Sequence, residues 1–225
     1  MGRKKAREIM SKDREDKTAK ILLQHIQQAL NNAEHERDNT IPHKVSFAHG
    51  KCAGILDLLE DVKDIAADTP NSPVWLFDEA EAQARFYSKE TKVRIADSMR
   101  VGELMDYDLG YLRGCEAVSN CTNNARFAVA EGYMQSYIDR GPEEDTTPEK
   151  DLESLAMACN GLNVMFGYEL SSCIRQFCKY AKHHHPDVVF TPELEDKVLC
   201  LLQADEKPWA RSMLRELLTG PKDSV

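Results

Sequence analysis

The chain has 225 residues, of which 42% are hydrophobic and 30% are charged, and its formal net charge is −9. This apolar content excludes a disordered chain, and 11 glycines with 9 prolines exclude collagen-like or low-complexity sequence. The acidic balance argues against a general nucleic-acid binder, whose folded body would normally be basic. The length predicts a soluble globular protein with one large domain or two small ones.

The seven cysteines predict free thiols, because their number is odd and no two of them form a Cys-x-x-Cys pair. The N-terminus begins with Met1-Gly2-Arg3-Lys4-Lys5 and continues with more charge, which is unlike the apolar segment of a signal peptide. No apolar run approaches the ~18 residues that a membrane span requires. We therefore predict a cytoplasmic protein with no membrane association.

The first half of the chain predicts two long helices. Residues 4–38 contain neither glycine nor proline, and they carry an apolar stripe at spacings of three and four: Ala19, Leu22, Ile26, Ala29 and Ala33. The same stripe is compatible with a short coiled-coil seam. Ile41-Pro42 ends this helix, and residues 43–67 predict the next one, with an apolar face made of Phe47, Ile55, Leu58, Leu59 and Val62.

Three later helices are predicted to begin where a hydroxyl residue precedes a proline, at Ser72-Pro73, Thr147-Pro148 and Thr191-Pro192. The hydroxyl can cap a free backbone N–H, and proline suits the first helical position because no N–H is needed there. Further helices are predicted over 101–118, 124–139, 149–182, 192–203 and 208–218. Strand patterns are almost absent, so the sequence predicts an all-α bundle of about seven to eight helices without a significant sheet.

The acidic segment at residues 139–153 suggests a division into an N-terminal region, residues 1–140, and a C-terminal region, residues 141–225. A single compact domain is the alternative. Within the first region, Gly50 and Gly54 are four residues apart on a predicted helix, and so are Gly110 and Gly114. Because glycine lowers helix stability, such pairs indicate a close crossing of helices, although simple tolerance of glycine would also explain them.

Four carboxylates share one face of a predicted helix at spacings of three and four: Asp57, Glu60, Asp61 and Asp64. Glu103 and Asp106 repeat the three-residue spacing on another helix. Carboxylates that face each other from two helices can hold divalent cations, as in some all-α nucleotide pyrophosphatases. The resemblance is loose in residue type and spacing. We therefore expect a solvated acidic surface, with a metal-dependent nucleotide hydrolase as the alternative.

Thiol, imidazole and nucleophile patterns predict no catalytic or metal site. Cys173 and Cys178 are five residues apart and Cys115 and Cys121 are six apart, and neither spacing places both sulfurs on one helix face. His183-His184-His185 falls at a predicted helix end, where histidine interacts favourably with the helix dipole. We expect core thiols and a surface histidine run. The chain also lacks the Gly-x-Ser-x-Gly, P-loop, dinucleotide-binding and His-Glu-x-x-His motifs. The prediction is accordingly no catalytic residue, no metal and no cofactor.

The charges are unevenly distributed, since residues 1–20 sum to +4 and the remaining residues to −13. The basic arm includes Arg3, Lys4, Lys5 and Arg7. Such an arm suits an acidic partner, the acidic face of a second subunit, or nucleic acid, which the overall charge disfavours. At the other end, two helices resemble the start of a helix-turn-helix without its recognition helix. Trp209, Met213 and Leu217 are therefore expected to pack on the body of the protein.

Together these patterns predict a non-enzymatic interaction or regulatory protein that binds a protein partner and forms a homodimer. Its partner-binding residues are expected in the basic arm and in the acidic face of Asp57, Glu60, Asp61 and Asp64. An inhibitor of host machinery, encoded by a phage or mobile element, would suit a small acidic helical protein. The alternatives are the nucleotide hydrolase and a nucleic-acid-associated protein that binds through its basic arm.

Overall fold

The fold is all-α, as the sequence predicts. A computed structural model describes the backbone of residues 2–68, 73–101, 105–142 and 146–220, and side chains from residue 17 onward within these ranges, apart from those at the edges of the gaps. These residues form eight α-helices and one 3₁₀ turn, and no strand. The helices are α1 Gly2–Asp38, α2 Val45–Asp68, α3 Pro73–Val101, α4 Asp106–Arg140, α5 Pro148–Phe166, α6 Leu170–His184, α7 Pro192–Leu201 and α8 Pro208–Thr219.

The chain forms two compact units, Met1–Ala128 and Val129–Val225. The boundary that the sequence suggests at residue 140 stays a prediction. Among the residues that the structure describes, none of the helices is both long enough and apolar enough to cross a bilayer.

In the first unit, α1 packs along α2, and α3 packs against both. The predicted stripe on α1 is correct in register, because Leu22, Ile26 and Ala33 are buried. Thr18 and Leu30 are buried as well, whereas Ala19 and Ala29 lie at the edge of the interface. On α2 the buried face contains the expected aliphatic side chains, namely Ile55, Leu58, Leu59 and Val62.

The two glycine pairs meet each other where α2 crosses α4. A Cβ added to Gly50 would lie 2.0 Å from the carbonyl oxygen of Tyr107, and one added to Gly110 would lie 2.0 Å from that of Phe47. Gly54 and Gly114 have the same relation to the opposite backbone, at 2.5 Å. No real Cβ occupies such positions, so the backbones touch directly. The predicted close crossing is confirmed, and simple tolerance of glycine does not explain these four residues.

The prediction of two helices over 101–118 and 124–139 is wrong, because α4 runs unbroken from Asp106 to Arg140. The polar segment between them continues the helix. Thr122 is buried, and its hydroxyl donates to the carbonyl oxygen of Val118 at 3.0 Å, so its polar group is satisfied within the helix. Asn120 and Asn123 are exposed. These polar residues therefore lie on both the buried and the exposed side of one continuous helix, and they do not end it.

In the second unit, the single helix predicted over 149–182 is divided into α5 and α6. Gly167 ends α5 with φ +66°, a left-handed conformation that favours glycine. Its N–H bonds to the carbonyl oxygen of Asn163, whose side-chain amide donates to the carbonyl oxygen of Tyr168 at 2.6 Å. The apolar side chains on both sides of the break are buried, among them Cys159, Phe166, Cys173 and Phe177.

The predicted starts of the later helices are confirmed where the structure describes them. The Thr147 hydroxyl accepts from the Lys150 N–H at 3.5 Å, and the Thr191 hydroxyl accepts from the Leu194 N–H at 3.3 Å. Ser72 lies outside the described residues, although α3 begins at Pro73 as predicted.

The expected packing of α8 is wrong in register. Trp209 is 48% exposed, and Met213 and Leu217 lie at the edge of the interface. The helix buries Ala210 and Leu214 instead.

We predict that Gly110→Ala lowers the free energy of unfolding by more than ~2 kcal/mol, because the methyl group would force α2 and α4 apart. Gly132→Ala on the same helix is the matched control. That glycine is exposed, and beyond its chain neighbours and the backbone of its own helix no heavy atom lies within 4 Å of the place that a methyl group would take, so alanine should raise stability by about 0.5–1 kcal/mol. Urea denaturation followed by circular dichroism measures both values. Equal effects of the two substitutions would contradict a backbone contact at the crossing.

Candidate functional site

The predicted acidic face lies on the side of α2 away from its buried residues. Glu60 and Asp64 are exposed. Asp57 and Asp61 instead interact with tyrosines on neighbouring helices: the Tyr111 hydroxyl of α4 donates to Asp57 at 2.7 Å, and Asp61 acts on the Tyr87 phenol of α3. Two of the four carboxylates are therefore used to join helices.

The two tyrosines form one cluster with these acids. Their rings meet edge to face at 6.3 Å, and the Arg94 guanidinium lies 5.5 Å from the Tyr111 ring. The hydrogen bond to Asp61, together with burial, raises the pKa of Tyr87 to about 12. Burial and the bond to Asp57 raise the pKa of Tyr111 as well. Both phenols stay protonated near neutral pH, so each can donate to its carboxylate and hold α2 against α3 and α4.

The ligand set of the hydrolase alternative is only partly described. Glu103 lies outside the described residues, and Asp106 is exposed in the first turn of α4. Across the described part of the chain, no group of three or more His, Cys, Asp or Glu side chains is arranged to hold a metal ion.

The basic arm also falls largely outside what the structure describes. Its backbone belongs to α1, which begins at Gly2, but the side chains of Arg3, Lys4, Lys5 and Arg7 are not among those described. Their proposed role in binding an acidic partner or nucleic acid stays a prediction.

The histidine run differs from its expected surface position. His183 is exposed, whereas the His185 side chain is only 7% exposed and its Nε2 lies 2.8 Å from Asp151 Oδ2. The Tyr180 hydroxyl donates to the same oxygen at 2.7 Å. Burial and the bond to Asp151 raise the pKa of Tyr180. One buried carboxylate thus joins the first turn of α5 to the last turns of α6.

No sequence pattern pointed to this Asp151–Tyr180–His185 cluster. Asp151 and His185 are 34 residues apart, and the break at Gly167 that folds them together was not predicted. The sequence shows only an acid in the first turn of a helix that begins with proline. Because the helix dipole favours an acid there in any case, its presence does not indicate a buried cluster. The expected core thiols are largely confirmed: five of the seven cysteines are buried, Cys121 is half-buried and Cys200 is exposed.

The outward side of α3 carries a row of apolar residues, which we call the α3 outer face: Trp75, Ala82, Phe86 and Val93. Their spacings of seven, four and seven residues align them along five turns, about 27 Å of helix. All four are exposed, Phe86 by 53% and Val93 by 57%. The opposite side of α3 is buried through Phe77, Ala80, Ala84 and Thr91. A surface helix normally presents charged and polar residues at the positions that these four occupy.

The charges of α3 are separated along its length. Residues 73–84 contain three acids and no base, namely Asp78, Glu79 and Glu81. Residues 85–101 contain five bases and two acids, namely Arg85, Lys89, Lys92, Arg94 and Arg100 with Glu90 and Asp97. The two halves therefore carry formal charges of −3 and +3.

Part of this charge is neutralised within the chain. Arg126 of α4 bonds Asp78 at 2.7 Å and lies 3.4 Å from Glu81, and Arg94 pairs with Asp108 at 3.1 Å. Glu79 and Lys89, which flank the α3 outer face, take part in no ion pair among the residues that the structure describes.

The basic half of α3 borders a groove of ≈ 340 Å³ against α4. Arg85, Lys89 and Lys92 line the α3 side with Ser88, while Glu116 and Ser119 line the α4 side. Glu116 is already paired with Arg113 at 2.6 Å. In a chain of net charge −9, this groove gathers positive charge at one end of the α3 outer face.

Comparison with known proteins adds no relative to this description. No family model matches the chain, and neither a curated protein nor a solved structure does. The interpretation of the site therefore rests on the residues and contacts described above.

We predict that stability falls as the pH rises above 10 and that Tyr87 contributes to the fall. The unfolded phenol loses its proton near pH 10, whereas the folded phenol keeps it to about pH 12. Tyr87 therefore stabilises the fold fully below pH 10, and its contribution is lost between pH 10 and 12. Denaturation at pH 9 and pH 11, under reducing conditions, should show a smaller decrease for Tyr87→Phe than for wild type. Tyr107→Phe, at a tyrosine that is 45% exposed, should keep the full decrease.

We predict that Asp151→Ala lowers the free energy of unfolding by about 2–4 kcal/mol, because it leaves the hydroxyl of Tyr180 and the ring of His185 buried without their acceptor. Glu149→Ala, at an exposed acid in the same turn, should change it by less than ~0.5 kcal/mol. Urea denaturation measures both. A similar loss for the two variants would show that the buried cluster contributes little.

Proposed function

We propose that the chain is a non-enzymatic interaction protein that binds a macromolecular partner, and that the α3 outer face is its principal binding surface. The supporting observation is the exposed alignment of Trp75, Phe86 and Val93 on a helix whose other side is anchored in the protein. Large aromatic side chains are the residues that most often dominate binding energy at protein interfaces. Exposed apolar patches rimmed by charge mark such interfaces.

The charge around the α3 outer face adds selectivity to this proposal. Acids border one end of the row and bases border the other, so a partner needs both an apolar row and the opposite charges in the matching order. The acidic face of α2 and the basic arm would then supply further charges that steer association. Inhibition of host machinery by a phage or mobile-element protein is one form that such binding could take, and it stays a prediction.

The anchoring of α3 supports its use as a rigid platform. Phe77, Ala80 and Ala84 are buried beneath it, and Arg126 and Asp108 of α4 reach its charged side chains at 2.7 and 3.1 Å. Because the helix is already ordered, binding costs little further conformational entropy.

We predict that Phe86→Glu abolishes partner capture without changing helicity. The tagged full-length chain is immobilised and exposed to an extract of its source cells, and bound proteins are identified by mass spectrometry. The wild type should retain a partner in stoichiometric amount, and so should the matched control Val164→Glu, which alters a residue of α5 that is 67% exposed. Equal capture by wild type and Phe86→Glu would contradict the assignment of the surface.

A further inference from the structure

The charge order on α3 identifies an occupant for its outer face. We propose that a second copy of this chain binds there, with the two α3 helices antiparallel about a two-fold axis near the middle of the row. This inference rests on the proposed function, since it names the partner of the same surface. It concerns one helix of the first unit, and every residue that it pairs lies within Pro73–Val101.

An antiparallel arrangement brings unlike charges together. The half of α3 with charge −3 in one copy lies against the half with charge +3 in the other, and symmetry repeats the contact at the opposite end. A parallel pair would instead place three acids beside three acids. Since like charges in apposition cost affinity and unlike charges favour it, the sequence of charges selects the antiparallel orientation.

The apolar row has the matching symmetry. Residues 75 and 93 are equally distant from the centre of the row, and so are residues 82 and 86. A two-fold axis at that centre places Trp75 level with Val93 of the other copy, and Ala82 level with Phe86. Each large side chain thus meets a smaller one, which lets the helices approach closely and interdigitate.

The same axis sets Glu79 level with Lys89 of the other copy, because these residues also lie equally far from the centre. Both side chains flank the row, Glu79 along one edge and Lys89 along the other, and neither takes part in an ion pair among the described residues of its own chain. The basic groove beside α3, lined by Arg85, Lys89 and Lys92, then lies next to the acidic half of the second helix. The dimer would therefore bring each of these unpaired charges alongside the half of the second helix that carries the opposite net charge.

A charge-swap experiment tests the proposal on the full-length chain. Glu79→Lys changes the acidic half from −3 to −1, and Lys89→Glu changes the basic half from +3 to +1, so either variant alone weakens the attraction at both ends of the dimer. Each variant by itself should dimerise about tenfold more weakly than wild type in sedimentation equilibrium. An equimolar mixture of the two variants should form the heterodimer in preference to either homodimer, because one end of it then opposes the unaltered halves of −3 and +3.

The apolar part of the interface has its own test. Phe86→Glu should yield a monomer, while Val164→Glu should sediment as the wild type does. Circular dichroism checks that each variant is folded, and the charge variants, which alter only surface residues, decide the question if Phe86→Glu fails to fold.

Each of the other outcomes overturns the inference. A wild-type chain that stays monomeric at tens of micromolar concentration would do so, and so would a dimer insensitive to the charge variants or a mixture without preferred heterodimers. If the wild type stayed monomeric, the proposed function would still hold provided that Phe86→Glu no longer captured a partner that the wild type captures. It would fail together with the inference if the wild type stayed monomeric and Phe86→Glu captured the same proteins as the wild type.

Discussion

The first unit depends on the direct contact between the backbones of α2 and α4. Four glycines remove every side chain from the crossing point, and the carbonyl oxygens of Phe47 and Tyr107 occupy the space that side chains would need. This approach sets the separation of the two helices more strictly than packed side chains could, because no rotamer change can compensate for an added methyl group. The hydrogen bond between Tyr111 of α4 and Asp57 of α2 depends on that separation.

Tyr111 shows how the crossing controls the surface. It lies between Gly110 and Gly114, and its hydroxyl reaches Asp57 only because α4 is this close to α2. Tyr111 in turn contacts Tyr87, which holds α3 in place. The rotation of α3 about its own axis is thereby determined, and with it the set of residues that face solvent. An apolar row on the outside of α3 is thus a consequence of how its inner side is held.

The sequence predicts local features better than it predicts contacts between distant residues. Thr147 and Thr191 indicate helix starts because capping involves neighbouring residues, and the glycine pairs indicate a crossing because no local benefit explains them. Gly167 is less informative, since glycine also occurs within helices, and the polar residues near Thr122 imitate a loop. The cluster around Asp151 depends on a fold that brings distant residues together. The spacing in the sequence places the residues of the α3 outer face on one side of a helix. Only the structure, in which the opposite side of α3 is buried, shows that this row is exposed.

The two units also differ in how far along the chain their defining contacts reach. In the second unit, the break at Gly167 lets Cys173 donate to the carbonyl oxygen of Cys159 across only 14 residues. In the first, Tyr111 and Asp57 are 54 residues apart. Closing a long loop costs more entropy, and contacts between distant residues slow folding. The α5–α6 contact therefore closes a shorter loop at a smaller entropic cost, whereas the glycine crossing closes a loop that contains the whole of α3.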